Sequence, residues 1–226
     1  MWTKICGIRD VPTARAIAAL RPSAIGLNFF AGSPRHVLVD AAAEIVRALP
    51  AGIEPVGVFV NHSAAEIDAI CARCGLRTAQ IHGDEPPELL AEVSLRQPDL
   101  QILRAFRMGA EKLRPLAEYL EACRRLGVTL RACLVDANVA GQYGGTGQTV
   151  PWDILRDDYR RDKWPPLILA GGLTPENVAA AIRAADPWGV DVSGGVESSP
   201  GVKDATRVER FLAAVREAFG ESPSRV

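Results

Sequence analysis

Short apolar runs alternate with longer amphipathic stretches from one end of this chain to the other, and no other feature restricts the fold as much. Runs of strand length lie at Thr3–Gly7, Ala24–Phe30, Pro55–Val60, Thr78–His82, Gln101–Phe106, Leu130–Asp136, Leu167–Ala170 and Gly189–Val192. Helical patterns fill the intervals at Val11–Leu20, Asp40–Leu49, Ala64–Cys74, Pro87–Leu95, Glu111–Leu126, Pro151–Arg156, Pro175–Ala185 and Asp204–Phe219. A brief apolar run bounded by glycine fits a strand covered on both faces. Strands separated by helices pair in parallel through right-handed crossovers. Eight such units predict an α/β fold of the closed (β/α)8 TIM-barrel kind. An open doubly wound sheet usually carries G-x-G-x-x-G after its first strand; here that turn reads Cys6-Gly7-Ile8-Arg9-Asp10. The 226 residues approach the ~250 typical of a barrel, and no linker interrupts them. Residues 1–226 are therefore expected to form one domain, with 220–226 a frayed tail.

Composition removes several function classes. The formal net charge is −1, so nothing biases the chain toward nucleic acid or acidic membrane. Lys4 and Arg9 break up the first segment, and no apolar run approaches the ~20 residues of a membrane span. A cytoplasmic enzyme is the expectation. The five cysteines make an odd number, which argues against a disulfide framework. Cys71 and Cys74 form a C-x-x-C, but inside a predicted helix that opens with the possible capping box Ser63-Ala64-Ala65-Glu66. No second pair and no matching histidine spacing completes a zinc set. These two, with Cys123 and Cys133, read as buried or helix-face residues.

In a barrel the chemistry collects at the C-terminal ends of the strands. Strand seven ends in Gly171-Gly172, followed by Leu173-Thr174-Pro175, where Thr174 can cap a helix and Pro175 fits its first turn. Strand eight ends in Ser193-Gly194-Gly195. Glycine lets backbone approach a ligand, and exposed N–H groups can surround an anion. One such turn reads as a tight connection; two on consecutive last strands point to a phosphate held between them. Strand one ends at Cys6, a nucleophile or base if its thiol ionises, otherwise a small buried residue. The loop after strand two carries Arg35, which can clamp a carboxylate or simply face solvent. His82 ends strand four and either lines the site or bonds a neighbouring loop. Asp136 ends strand six before the glycine-rich stretch 137–148, an arrangement that suits an acid beneath a closing loop. Alternation puts Asp191 and Ser193 on one side of strand eight.

Taken together, these residues resemble phosphoribosylanthranilate isomerase of tryptophan biosynthesis. The pieces that carry the resemblance are Lys4-Ile5-Cys6-Gly7-Ile8, Ser33-Pro34-Arg35, Val56 to Asn61, Gln80 to Asp84, Leu134-Val135-Asp136, Gly144-Gly145-Thr146-Gly147, Ala170 to Leu173 with Pro175 and Asn177-Val178, and Gly189 to Ser193. They span almost the whole chain, and their order and spacing carry the match. The resemblance implies a TIM barrel with no metal or organic cofactor. It implies an Amadori rearrangement of N-(5′-phosphoribosyl)anthranilate to 1-(o-carboxyphenylamino)-1-deoxyribulose 5-phosphate. By the same likeness Asp136 is the general acid and Cys6 the general base. Arg35 binds the anthranilate carboxylate, Gly171, Gly172, Ser193 and Gly194 hold the phosphate, and Asp191 lies near the ribose hydroxyls; His82, on the reading of its strand end, is grouped with these substrate-binding candidates. The partner is then a small phosphorylated substrate, with no nucleic acid and no membrane; monomer and homodimer both stay open. Two departures stand out. The family commonly has two serines where Ser193-Gly194 stands, and Phe-Asp-Trp where Val150-Pro151-Trp152-Asp153 stands. The first removes a possible hydroxyl contact and the second bears on loop closure. Two other readings remain open at this level: a sister phosphosugar isomerase, and a barrel that binds a phospholigand without turnover.

Overall fold

The computed structural model describes residues 1–109, 112–136 and 152–220. The eight strands are β1 (Trp2–Cys6), β2 (Ala24–Asn28), β3 (Glu54–Phe59), β4 (Thr78–Ile81), β5 (Gln101–Arg107), β6 (Ala132–Asp136), β7 (Leu167–Ala170) and β8 (Gly189–Val192). Each pairs in parallel with the next, and β8 returns to β1 with Asp191 opposite Lys4, closing the barrel. The helices are α1 (Val11–Ala19), α2 (Val39–Ala48), α3 (Ala64–Cys74), α4 (Pro87–Arg96), α5 (Arg114–Arg125), α6 (Trp152–Asp158), α7 (Val178–Ala185) and α8 (Ala205–Ala218). Every strand and helix read from the sequence is present, most with ends shifted by a few residues. No helix among the described residues is long and apolar enough to cross a membrane.

Period-two alternation divides the strand residues into two sets. One set packs outward against the helices, where Ile5, Ile25, Phe59, Ile81 and Val190 join Ile67, Leu90 and Phe211 in the large core. The other fills the barrel: Trp2, Ala24, Val56, Leu103, Ala105, Ala132, Leu134, Ile168 and Ala170 form a separate buried cluster. The floor of the lumen is polar as well as aromatic. Glu54 accepts hydrogen bonds from Trp2 Nε1 (3.2 Å), Thr78 Oγ1 (2.5 Å) and the Arg131 guanidinium. Trp2 stacks on Trp188 with ring centroids 5.6 Å apart. The upper lumen holds long polar side chains, and these need small neighbours. A Cβ on Gly26 would lie 2.6 Å from Cys6 Sγ and 3.1 Å from Lys4 Cε.

Local signals explain several helix ends. Ser63 and Glu66 form a reciprocal capping box on α3, and Gly75 ends it in the left-handed region at φ 68°. Cys71 and Cys74 lie on the buried face of α3, and the Cys74 thiol donates to Val39 O (3.5 Å). One expectation needs correcting. Helix α7 starts at Val178, not Pro175, so Thr174 caps a turn over 175–177 and not the helix itself. Asn177 causes the delay: its Oδ1 accepts from Thr174 N (2.7 Å) and its Nδ2 donates to Gly172 O (2.9 Å), closing the turn on itself. Another element was not anticipated. After β8 comes a one-turn 3₁₀ helix, Gly194–Val196, then an antiparallel hairpin of β9 (Glu197–Ser199) and β10 (Val202–Lys203). The glycine-rich stretch 137–148, the Val150-Pro151 departure and the expected tail beyond Gly220 lie outside the described residues.

Because Gly26 makes room for two inward side chains, Gly26→Ala overpacks the lumen. It should lower unfolding free energy by roughly 1–3 kcal/mol, read from the urea midpoint of the purified protein.

Candidate active site

The C-terminal mouth of the barrel collects the residues singled out from the sequence. Going round the ring, β6 ends in Asp136, β7 in the Gly171-Gly172 turn, β8 in Ser193-Gly194, and β1 in Cys6. Asp136 is half-buried, and its backbone oxygen accepts from Met108 N (3.0 Å). The two glycine turns are packed together. Gly171 and Gly172 are left-handed, at φ 91° and 62°, and a Cβ on Gly195 would fall 1.8 Å from Leu173 O. Only glycine at 195 lets the strand-eight turn lie against the strand-seven turn. Among the described residues, nothing beyond its own chain neighbours lies within 4 Å of where a Cβ on Gly172 would be.

Below Cys6 lies a buried ion pair. Lys4 reaches inward with 0% of its side chain exposed, and its Nζ is 2.7 Å from Asp191 Oδ1, itself 8% exposed. Burial opposes the charged ammonium, but Asp191 and the Cys6 thiol beside it more than offset this and raise the lysine pKa. Cys6 is 9% exposed. Burial raises its thiol above the ordinary value; Lys4 and Lys203 pull the other way and Asp191 adds to the rise. Its backbone oxygen accepts from Ser193 Oγ (3.1 Å), which ties β1 to the strand-eight turn. His82 just above β4 is held by Gln80, whose Nε2 is 2.7 Å from His82 Nδ1. With the amide as donor, Nδ1 accepts and the ring proton sits on Nε2. Burial, then the charge of Lys4, lower the His82 pKa to about 4, so the ring is neutral at physiological pH.

Arg35 lies over the end of β1. A Cβ on Gly7 would be 2.7 Å from Arg35 Cδ, so glycine at φ 90° lets the side chain pass. Its loop is held by Ser33, which accepts from Asn28 Nδ2 (3.2 Å) and Arg35 N (3.1 Å). The guanidinium reaches Glu197 with two bonds, Nε to Oε1 at 2.8 Å and Nη2 to Oε2 at 2.7 Å. Lys203 Nζ also meets Glu197 Oε1 (2.6 Å) and donates to Ser193 O (3.1 Å). Burial alone would raise the Glu197 pKa, but Arg35 and Lys203 hold it down at about 2.

Lys4, Gln80, Glu197 and Lys203 were not singled out from the sequence. Lys4 had a signal: it precedes Cys6 by two residues in a strand and so shares its face. Glu197 and Lys203 flank Pro200-Gly201, a turn signal between short polar runs that marks a hairpin. Nothing local marks Gln80.

Two outcomes follow. Lys4→Met leaves Asp191 buried without its partner and should destabilise the fold by about 3–5 kcal/mol in urea titration at neutral pH. Glu197 is depressed in the folded state, so its stabilising contribution is complete above the ordinary glutamate value of 4.5 and is lost as pH falls toward about 2. Thermal melts across that window should show a steeper acid loss for the unmodified chain than for Glu197→Gln.

Comparison with known proteins accounts for this arrangement. The family described as N-(5'phosphoribosyl)anthranilate (PRA) isomerase matches residues 3–214. A Geobacter metallireducens protein named N-(5'-phosphoribosyl)anthranilate isomerase is 41% identical over 210 residues, covering 92% of this chain and 96% of its own. The crystal structure of phosphoribosyl anthranilate isomerase from Thermotoga maritima superposes with a TM-score of 0.79 at 33% identity, covering 96% of this chain and 98% of that one. A structure of the isomerase in complex with reduced 1-(o-carboxyphenylamino)-1-deoxyribulose 5-phosphate gives a TM-score of 0.76 at 30% identity, again covering 96% and 98%. Fold, mouth and sequence thus agree, and the chain belongs to the N-(5'-phosphoribosyl)anthranilate isomerase family.

Proposed function

We propose that the mouth of this barrel carries out the Amadori rearrangement of N-(5′-phosphoribosyl)anthranilate to 1-(o-carboxyphenylamino)-1-deoxyribulose 5-phosphate, with Asp136 as general acid and Cys6 as general base. The observation that carries the reading is the order around the ring. Cys6 ends β1 and Asp136 ends β6, and the two strands between them, β7 and β8, end in the paired glycine turns. A ligand anchored by phosphate at those turns extends its ribose between the two groups. The reduced product held by a structural relative has the phosphate, ribose-derived chain and carboxylate that such a mouth would need.

The chemistry divides into two proton transfers. Asp136 gives its proton to the ribose ring oxygen as the C1′–O bond breaks, and the electron pair stays on that oxygen. Nitrogen then holds C1′ as a protonated Schiff base, which acidifies the C2′ hydrogen. Cys6, as thiolate, takes that hydrogen as a proton, and the C–H electrons form the C1′–C2′ double bond of an enolamine. Protonation at C1′, with loss of the C2′ hydroxyl proton as its electrons form C2′=O, gives the ketone. A carboxyl near the substrate's anionic groups has its pKa raised, which keeps a useful fraction protonated. Burial of Cys6 has two effects: it lowers the thiolate population and makes the thiolate a stronger base, while the neighbouring lysines restore part of the population. Exposed N–H groups of Gly171, Gly172, Ser193 and Gly194 suit the phosphate. Asp191 is taken as the ribose contact, Arg35 as the carboxylate contact, and neutral His82 as a lining hydrogen-bonding group.

Cys6→Ala and Asp136→Asn should both stay folded and bind the reduced product. Each should lose turnover by at least the ~10²–10⁴ that acid–base catalysis contributes, followed by the decay of substrate fluorescence. Near-normal turnover in either variant removes that residue from its role.

A further inference from the structure

One buried carboxylate at the mouth has no part in the proton transfers, yet it joins cations from two directions. Glu197 opens β9, and its side chain is 4% exposed. Its oxygens receive Nε and Nη2 of Arg35 at 2.8 and 2.7 Å, and Lys203 Nζ at 2.6 Å. Lys203 is 1% exposed and also reaches Ser193, at 3.1 Å to its O and 3.5 Å to its Oγ. Ser193 in turn donates to Cys6 O at 3.1 Å. An unbroken line of contacts therefore runs from the Arg35 guanidinium through Glu197 and Lys203 to the strand-eight turn.

The geometry of the first link matters most. Arginine is a long, flexible side chain, and two parallel hydrogen bonds from one edge of the fork fix the plane of the whole group. Among the described residues the guanidinium bonds all leave from Nε and Nη2, so the Nη1 side is the one turned away from Glu197. A planar group fixed by one edge presents its other donors in a defined direction, and a ligand carboxylate then meets a site already ordered.

We propose that Glu197 is the positioning residue for the carboxylate end of the substrate: it holds Arg35 by one edge so that the remaining donors receive the anthranilate carboxylate, and through Lys203 it fixes that end relative to the phosphate turn. This rests on the assignment of Arg35 as the carboxylate contact. The spacing between the two anionic groups of one ligand is then set by side chains and not by loop backbone alone. A rival account follows from the same pair. If Glu197 only competes for the guanidinium, neutralising it frees Arg35 and tightens binding of a carboxylate. If the pair only staples β9 to the Arg35 loop, neutralising it weakens every substrate alike.

Steady-state assays on Arg35→Ala, Glu197→Gln, Glu197→Asp and the Arg35→Ala/Glu197→Gln double variant separate these accounts. Each is measured with N-(5′-phosphoribosyl)anthranilate and with its aniline counterpart, which lacks the carboxylate. Glu197→Gln should raise KM for the anthranilate substrate about tenfold or more, with kcat little changed and the aniline substrate unaffected. The double variant should be no worse than Arg35→Ala alone. Glu197→Asp keeps the charge but, being one methylene shorter, does not reach the position from which Glu197 meets both arginine donors; it should show the same carboxylate-specific loss in smaller measure, and it serves if Glu197→Gln fails to fold by circular dichroism. A lowered or unchanged KM for the anthranilate substrate overturns the proposal, as does an equal rise on both substrates. The outcome of Arg35→Ala tells where a failure lies. A carboxylate-specific Arg35→Ala effect without a Glu197 effect removes the inference alone. An Arg35→Ala effect equal on both substrates removes the Arg35 assignment and the inference with it. No turnover of the anthranilate substrate by the unmodified chain removes the proposed reaction itself.

Discussion

Inside the barrel the ammonium of Lys4 is wholly shielded from solvent and lies 2.7 Å from Asp191 across the seam where β8 meets β1. An isolated buried charge costs far more than a fold of this size can offset, so the pair exists only as a pair. Much else follows from it. The lysine stem needs room, which Gly26 supplies on the neighbouring strand. The pair lies directly beneath Cys6, where the lysine opposes the effect of burial on the thiol. Its lysine also adds to burial, the larger cause, in lowering the pKa of His82, while Asp191 acts the other way; the ring stays neutral. One contact thus joins barrel closure to the electrostatics of two site groups.

The halves of the ring have different tasks. The arc β6–β7–β8–β1 carries the proposed acid, the proposed phosphate turns and the proposed base. The opposite arc supplies support from outside the lumen. Arg104 on β5 donates to Ile81 O and Gly83 O, each at 3.0 Å, and so fixes the connection that presents His82. Glu85 accepts from Asn61 N (2.6 Å), and Asn61 Oδ1 accepts from Asp84 N (2.8 Å), joining the β3 and β4 loops. Strand ends that must face a ligand are therefore held by polar contacts behind them, and the ligand side is left open.

The barrel was legible because its signals are local and repeated. Apolar runs, capping boxes such as Ser63 to Glu66, and glycine stops each act over a few residues. The strand-end candidates were legible for a related reason: in a parallel barrel, the last residue of a strand faces the mouth whatever its partners are. Partnerships were not legible. Arg35 could be placed on a loop, but nothing near it in sequence indicates that Glu197, 162 residues away, would grip it. Lys4 was visible only as a charge breaking an apolar segment; its partner Asp191 was seen separately, as a possible ligand contact. Helix α7 starts later than the Thr174-Pro175 signal indicates, because Asn177 closes the preceding turn with its own side chain, a local competitor to the helical start.

The tie between Ser193 and Cys6 spans 187 positions of the chain, and the Arg35–Glu197 pair spans 162. Contacts so distant in sequence form only after the intervening chain has collapsed, because the entropy of closing such a loop must be met first. Strand β1 leaves the ribosome early and its seam partner β8 late, so Cys6, Lys4 and Arg35 wait through most of synthesis for the segment that carries their partners. A barrel arrested one strand short would have much of its hydrophobic layer but no ordered mouth. Recovery of the proposed activity on refolding therefore requires ring closure itself, whereas a helix depends on contacts a few residues apart and does not report that step.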